Sequence, residues 1–165
     1  MDISNIKSVG IIGAGLMGHG IAIQFASHGF KVILNDVSEE KLASSIKNIE
    51  STSIQANLDT NNILGLIETE HSLDETARNS DFVVEAVFED LNVKMAIFDK
   101  VDSICPKDIV IASNTSSFKA SQLSINCKFP ERVIVANWWN PPHILPLIEV
   151  VKGPQVSDET SNTTM

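Results

Sequence analysis

Six consecutive residues near the N-terminus have the types and spacing of a loop that binds a dinucleotide. They form a G-x-G-x-x-G motif made of Gly13, Ala14, Gly15, Leu16, Met17 and Gly18. The first glycine permits a tight turn, the second lets the backbone approach a diphosphate, and the third allows a helix to pack closely on a strand. The motif follows a predicted strand and opens a predicted helix, which is the context it requires. We therefore expect the amides at the start of that helix to bind a diphosphate.

Asp36 stands at the end of the second predicted strand. A carboxylate at this position accepts hydrogen bonds from the hydroxyls of an adenosine ribose and repels a 2′-phosphate. The pattern predicts NAD, rather than NADP, as the cofactor. The alternative is a structural glycine turn followed by a surface aspartate.

Four later segments carry further candidate site residues. They are residues 83–89 (VVEAVFE) with Lys94, residues 112–117 (ASNTSS), residues 140–142 (NPP) and residues 146–150 (PLIEV). Together with the glycine loop, these segments resemble the NAD-binding domain of the 3-hydroxyacyl-CoA dehydrogenases, over about residues 5–165. The resemblance implies an NAD-dependent oxidoreductase of fatty acid metabolism that transfers a hydride between a 3-hydroxyacyl-CoA and NAD.

The resemblance also implies roles for individual residues. Glu89 and Lys94 correspond to an acid and a lysine at the cofactor, and Asn140 corresponds to an asparagine near the nicotinamide. Ser116 corresponds to a serine that hydrogen-bonds the reacting oxygen of the substrate, as well as lying at the cofactor. Glu149 corresponds to the acid that pairs with the catalytic histidine. From the residues alone, Glu89 and Lys94 could instead be a solvated pair at a helix start, and Ser116 a turn residue.

The sequence departs from the family at the catalytic base, because Asn137 stands where the family has histidine. Histidine suits proton transfer near neutral pH, whereas an amide cannot take a proton there. Losing a general base typically costs roughly 10²–10⁴ in rate. We expect a slow or inactive site in which Glu149 orients nothing. His143 is a poor substitute, since a loop histidine beside a proline is more often a surface or packing residue.

The segment after the second strand bears on the substrate. In the acyl-CoA enzymes a long, lysine-rich helical arm touches CoA, whereas the stretch 39–62 here is short and carries only Lys41 and Lys47. CoA is therefore less firmly implied than NAD. One alternative is a dehydrogenase of a small 3-hydroxy acid, resembling those that act on gulonate or carnitine. Another is a catalytically silent NAD-binding module.

The elements that would position these residues alternate between strands and helices. Short apolar runs predict strands at 7–12, 31–34, 66–69, 81–87, 108–112, 132–136 and 147–151. Helical periodicity predicts helices that begin near residues 16, 39, 73 and 92, with Val93, Ile97 and Val101 on one face of the last, and a turn over 59–62. This order predicts an α/β, Rossmann-type doubly wound sheet, mostly parallel, with helices on both faces.

Ser157 is a candidate N-cap for a last helix near the end of the chain. We expect residues 1–153 to form the NAD-binding domain and residues 154–165 to begin a linker helix to an absent C-terminal helical domain. In the family that domain closes the active site and carries the dimer interface. The resemblance thus implies a homodimer for the full-length protein.

Composition excludes several other classes of protein. The net charge of −9 argues against a nucleic-acid or anionic-membrane surface. We expect no signal peptide, because the first ten residues lack a basic flank followed by a long apolar core, and no apolar run is long enough to span a bilayer. Cys105 and Cys127 are too few and too isolated for a metal site or a disulfide framework. We expect a cytoplasmic protein with no metal and a small-molecule substrate.

Overall fold

The computed structural model of the chain describes residues 3–145 and 147–165. Met1, Asp2 and Pro146, the first residue of the PLIEV segment, lie outside the described residues. The strands are β1 Ser8–Ile12, β2 Lys31–Asn35, β3 Ile67–Glu70, β4 Phe82–Glu85, β5 Val110–Ser113, β6 Val133–Trp138 and β7 Ile148–Val151. The helices are α1 Leu16–Ser27, α2 Glu39–Gln55, α3 Thr60–Gly65, α4 Leu73–Arg78, α5 Leu91–Ile104, α6 Ala120–Leu123 and α7 Asp158–Thr164.

The seven strands form one sheet in the order β3-β2-β1-β4-β5-β6-β7. Neighbouring strands from β3 to β6 are parallel, and β7 adds to the edge antiparallel to β6. The predicted doubly wound, mostly parallel sheet is confirmed. The strand order reverses between β1 and β4, and ligands of such sheets bind at the carboxyl ends of the strands beside this point.

The core is the apolar sheet and the helix faces that cover it. Strands β4 and β5 are buried at every position, as expected for strands covered on both faces. The fully buried side chains include Ile11, Ile21, Leu34, Phe98 and Ile134, contributed by three strands and two helices. The structure thus holds the carboxyl ends of the central strands in fixed positions relative to one another.

Polar side chains cap most of the longer helices. The Ser38 hydroxyl accepts a hydrogen bond from the Lys41 amide at the start of α2, as predicted. Ser157 caps α7 in the same way, also as predicted. Each such cap satisfies a backbone amide that has no partner within the helix. Helix α1, by contrast, has Gly15 at its N-cap position and therefore has no side-chain cap.

The prediction of a turn over residues 59–62 was wrong. Helix α2 continues to Gln55, and Asp59 then accepts a hydrogen bond from the Asn62 amide and caps the short helix α3. The polar surface of both helices hid their periodicity, because few of their residues reach the core. The four-residue helix α6 was not predicted at all.

The face of α5 that carries the predicted apolar residues coincides only in part with its buried face. Val101 is buried, but Val93 and Ile97 are only half-buried, and Lys94 and Phe98 take the inner face instead. An apolar pattern could not reveal this rotation, because Lys94 is buried by ion pairing rather than by hydrophobicity. Among the residues described, we find no helix with the length and apolar character needed to cross a bilayer.

Candidate cofactor and catalytic site

The glycine loop is held tightly between β1, β4 and α1. Gly13 has a φ of +105°, and a Cβ added there would lie 2.7 Å from the carbonyl oxygen of Ala86. A Cβ on Gly18 would lie 1.8 Å from the carbonyl oxygen of Gly13. The Gly13 amide donates to the carbonyl of Asn35 at 2.8 Å, which ties the loop to β2. The first and third glycines of the motif are therefore required by packing.

Gly15 differs from the other two glycines, because a Cβ added to it would meet no heavy atom within 4 Å. It lines an open cavity in front of α1, whose first turn no side chain caps. Uncapped amides at a helix N-terminus carry partial positive charge and bind phosphate groups. These residues therefore fit the diphosphate of a dinucleotide.

Asp36 lies beside the same loop, as the sequence predicted. One of its carboxylate oxygens accepts the Ala14 amide at 3.2 Å, and the other accepts the Ser38 amide at 3.1 Å. These two hydrogen bonds, which the sequence did not reveal, hold the carboxylate at the rim of a cavity of about 450 Å³. That volume lies in the range of small-molecule sites. Asp36 and the apolar side chains of Val37, Leu73, Phe88 and Ile97 line it.

A buried ionic cluster lies at the carboxyl end of β4. The ammonium group of Lys94, which is 0% exposed, donates to Glu85 at 2.7 Å and lies 3.2 Å from the carboxylate of Glu89. Glu85 is also 0% exposed, and it accepts the Val87 amide at 2.7 Å and the Ser113 hydroxyl at 2.6 Å. The alternative of a solvated pair at a helix start is therefore wrong for Lys94.

Sequence reasoning did not single out Glu85. The only signal in the sequence was that Glu85 is a charged residue at the end of the apolar run FVVE. A charge buried there requires a partner. Burial raises the pKa of Glu85 above its ordinary value, against the lowering effects of Lys94, Ser113 and Val87. Partial burial also acts to raise the pKa of Glu89, but the Thr115 hydroxyl and the Lys94 ammonium hold it below its ordinary value.

The same cluster fixes the turn that carries Ser116. The Thr115 hydroxyl donates to the carboxylate of Glu89 and accepts the amides of Ser117 and Phe118 at 3.2 and 3.3 Å. Ser116 is exposed at the apex of this turn, and its side chain lines a second cavity of about 420 Å³. The Ser116 hydroxyl, carried on a turn that these bonds fix, could donate a hydrogen bond to a substrate oxygen.

Asn137 and Glu149 line this second cavity together with Ser116. They are direct partners in the antiparallel register of β6 and β7, and the Asn137 side-chain amide donates to the Glu149 carboxylate at 3.2 Å. The expectation that Glu149 orients nothing was wrong, because it orients Asn137. Asn137 and Glu149 are arranged like a catalytic base and the acid that orients it, but the side-chain amide of Asn137 cannot accept a proton.

The two remaining candidates lie at a distance from this pair. Asn140 is exposed beyond β6, at a cis peptide bond to Pro141, and does not line either of these two cavities. Its role near the nicotinamide stays a prediction. The segment that contains His143 packs on α1, where Gln24 donates to the carbonyl of Pro142 at 2.8 Å. Burial and the nearby His19 lower the pKa of His143, as expected for a packing residue.

Comparison with known proteins identifies the family of the chain. The family model for the NAD binding domain of 3-hydroxyacyl-CoA dehydrogenase matches residues 8–165. The chain belongs to this family. NAD is accordingly its cofactor, in agreement with the prediction from the glycine loop and Asp36.

Three similar proteins illustrate the range of this 3-hydroxyacyl-CoA dehydrogenase family. The fatty acid oxidation complex subunit alpha of Idiomarina loihiensis is 30% identical, over 97% of this chain and 23% of that protein. A 5-formyl-3-hydroxy-2-methylpyridine 4-carboxylate 5-dehydrogenase of Mesorhizobium japonicum is 30% identical, over 96% of this chain and 52% of that protein. The crystal structure of 3-hydroxybutyryl-CoA dehydrogenase from Escherichia coli K12 matches with a TM-score of 0.92 at 32% identity, over 97% of this chain and 35% of the other.

The chain thus spans between about a quarter and about half of the length of these relatives. The similarity extends over nearly all of this chain. It establishes the family, the fold and the cofactor.

Proposed function

We propose that this chain is the cofactor-binding domain of an NAD-dependent L-3-hydroxyacyl-CoA dehydrogenase in which Asn137 makes oxidation slow. The observation that carries the proposal is the hydrogen bond from Asn137 to Glu149, beside Ser116 in one cavity. This geometry supports the binding and orientation of an alcohol, but the side chain at position 137 is an amide and cannot take the hydroxyl proton.

The proposed roles follow from the chemistry of each group. NAD supplies the hydride acceptor when it is bound. Ser116 donates a hydrogen bond to the reacting oxygen of the substrate, and Asn137, held by Glu149, donates a second one. The Glu149 carboxylate is exposed and accepts the side-chain amide of Asn137, so its role here is to orient that amide. Binding and alignment therefore remain, while proton transfer is lost.

The test is the N137H variant, measured in the longest product of the gene. We expect little acetoacetyl-CoA-dependent oxidation of NADH by the unchanged protein and an increase of roughly 10²–10⁴ in N137H, the typical contribution of a general base. The double variant N137H/S116A is the control, and it should lose most of this gain. Rapid oxidation of NADH by the unchanged protein would overturn the proposal. An N137H protein that binds NAD but gains no activity would favour a silent NAD-binding module.

A dehydrogenase of a small 3-hydroxy acid is the second candidate. Helix α2 carries only two lysines, Lys41 and Lys47, and a relative is named for a carboxylated pyridine substrate. Comparing acetoacetyl-CoA with acetoacetate as substrates of N137H separates the two candidates. A preference for the CoA thioester supports the first, and a preference for the free acid supports the second.

We also propose that residues 1–153 are the NAD-binding domain and that residues 154–165 lead into a helical domain that carries a homodimer interface. Apolar side chains that such a domain could cover are exposed around β7, namely Trp139, Ile144, Leu145, Leu147 and Ile148. Sedimentation of the longest gene product tests the dimer. Cys105 and Cys127 are both free thiols, which supports the cytoplasm as the compartment.

A further inference from the structure

The ionic cluster is hydrogen-bonded to residues that line each of the two cavities. Val87 and Phe88 line the cavity in front of the glycine loop, and the Val87 amide donates to Glu85 of the cluster. Thr115 lines the cavity that contains Asn137, and its hydroxyl donates to Glu89 of the cluster. A dinucleotide whose diphosphate rests on the glycine loop must cross this region to reach Ser116. The three cluster residues line neither cavity themselves, but they are hydrogen-bonded to lining residues of both, so their charge acts on the nicotinamide half from behind these residues.

The charges in this cluster do not cancel. Two carboxylates, on Glu85 and Glu89, share the single ammonium group of Lys94. The other partners of Glu85 are the neutral Val87 amide and Ser113 hydroxyl, so that three donors converge on this carboxylate. Three donors directed at one carboxylate favour its ionised form, and with Glu85 ionised the sum is one negative charge. Solvent screens it weakly at Lys94 and Glu85, which are fully buried, and more strongly at Glu89, whose side chain is 38% exposed.

We propose that the Glu85–Lys94–Glu89 cluster biases the site toward the oxidised coenzyme. This inference rests on the proposed binding of NAD. The nicotinamide ring of NAD⁺ carries a positive charge that NADH lacks, and the rest of the two molecules is the same. A fixed negative charge nearby therefore stabilises bound NAD⁺ selectively. Contacts to the ribose or the diphosphate affect both forms and cancel in the ratio of their dissociation constants.

The experiment measures the dissociation constants of NAD⁺ and NADH by titration calorimetry. It compares the unchanged protein with E89Q, E85Q and S113A. Both glutamine variants remove one negative charge and keep the size of the side chain. S113A removes a hydrogen bond to Glu85 without changing the charge, and is the matched control.

We expect the ratio of the NAD⁺ constant to the NADH constant to rise about five- to twentyfold in E89Q and E85Q, the size of a unit charge acting over roughly 10 Å near a protein surface. S113A should leave the ratio unchanged. Thermal unfolding establishes that each variant is folded. Because Glu89 is partly exposed, E89Q decides the matter if E85Q fails to fold.

The outcomes separate this inference from the proposed function. If the unchanged protein binds both coenzymes and the glutamine variants keep its ratio, the cluster has no selective role and only this inference is overturned. A ratio that shifts equally in S113A would also overturn it, because the cause would then be geometry rather than charge. If the unchanged protein binds neither coenzyme, the proposed function fails together with the inference.

Discussion

The cavity in front of the glycine loop and the cavity beside Asn137 are built in different ways. The first is shaped by backbone, with Gly13 and Gly18 pressed against neighbouring carbonyls and Asp36 held by two amides. The second is formed by side chains on a turn, on β6 and on the edge strand β7, and its central contact is one hydrogen bond between Asn137 and Glu149. Cofactor binding here is thus part of the fold, whereas catalysis depends on one side chain. A substitution at position 137 can remove the catalytic base while the shape of the second cavity stays the same.

The largest effect on the fold is expected in the first cavity, from Gly18→Ala. The added Cβ would lie 1.8 Å from the backbone oxygen of Gly13, which cannot move without displacing the loop. We expect a loss of about 3 kcal/mol or more in the free energy of unfolding, as for an overpacked core. Denaturant unfolding measures it.

Gly15→Ala is the matched control for this change, because its Cβ enters open space. It should cost less than about 1 kcal/mol of stability, the scale of a changed N-cap. It should nevertheless weaken NAD binding, since the methyl group fills the space in front of α1. Similar stability of the two variants would contradict the packing argument.

Asp36→Ala should have an intermediate effect, on affinity rather than on folding. Hydrogen bonds to a charged group contribute about 1.5–3 kcal/mol, so we expect NAD to bind about ten- to a hundredfold more weakly. The affinity for NADP should fall less, because the repulsion of a 2′-phosphate is removed as well. Calorimetric titration with both cofactors measures this, and an unchanged preference would exclude Asp36 from the ribose site.

The smallest effect is expected in the second cavity, from Asn137→Ala. The side chain is half-buried and makes one hydrogen bond to an exposed partner, so stability should change by less than about 1 kcal/mol. Affinity for NAD should stay the same, because the diphosphate and ribose contacts lie in the other cavity. A large loss of either would show that the two cavities are coupled, contrary to the comparison above.

The sequence was most informative at positions where the fold requires one particular type of residue for one physical reason. Apolar runs located the seven strands, and the spacing of Gly13, Gly15 and Gly18 located the loop and its helix. Asp36 was found because it follows a buried strand at the correct point of a βαβ unit. In each case the local pattern and the overall fold demand the same residue.

Sequence reasoning failed where a side chain is placed by partners far along the chain. Lys94 looks like a surface residue until Glu85 and Glu89 surround it, and Glu85 lay unnoticed inside its strand. The pairing of Asn137 with Glu149 depends on the register of β6 and β7, which no local pattern specifies. Polar helices such as α3 escaped because their caps, rather than an apolar face, define them.

Calorimetric titration of the unchanged protein with NAD and with NADP tests the central claim, that the glycine loop and Asp36 bind NAD, most directly. The account predicts one saturable NAD site per chain and a preference over NADP of about tenfold or more, which corresponds to about 1.4 kcal/mol. The absence of heat from NAD, or equal affinity for the two cofactors, would contradict it.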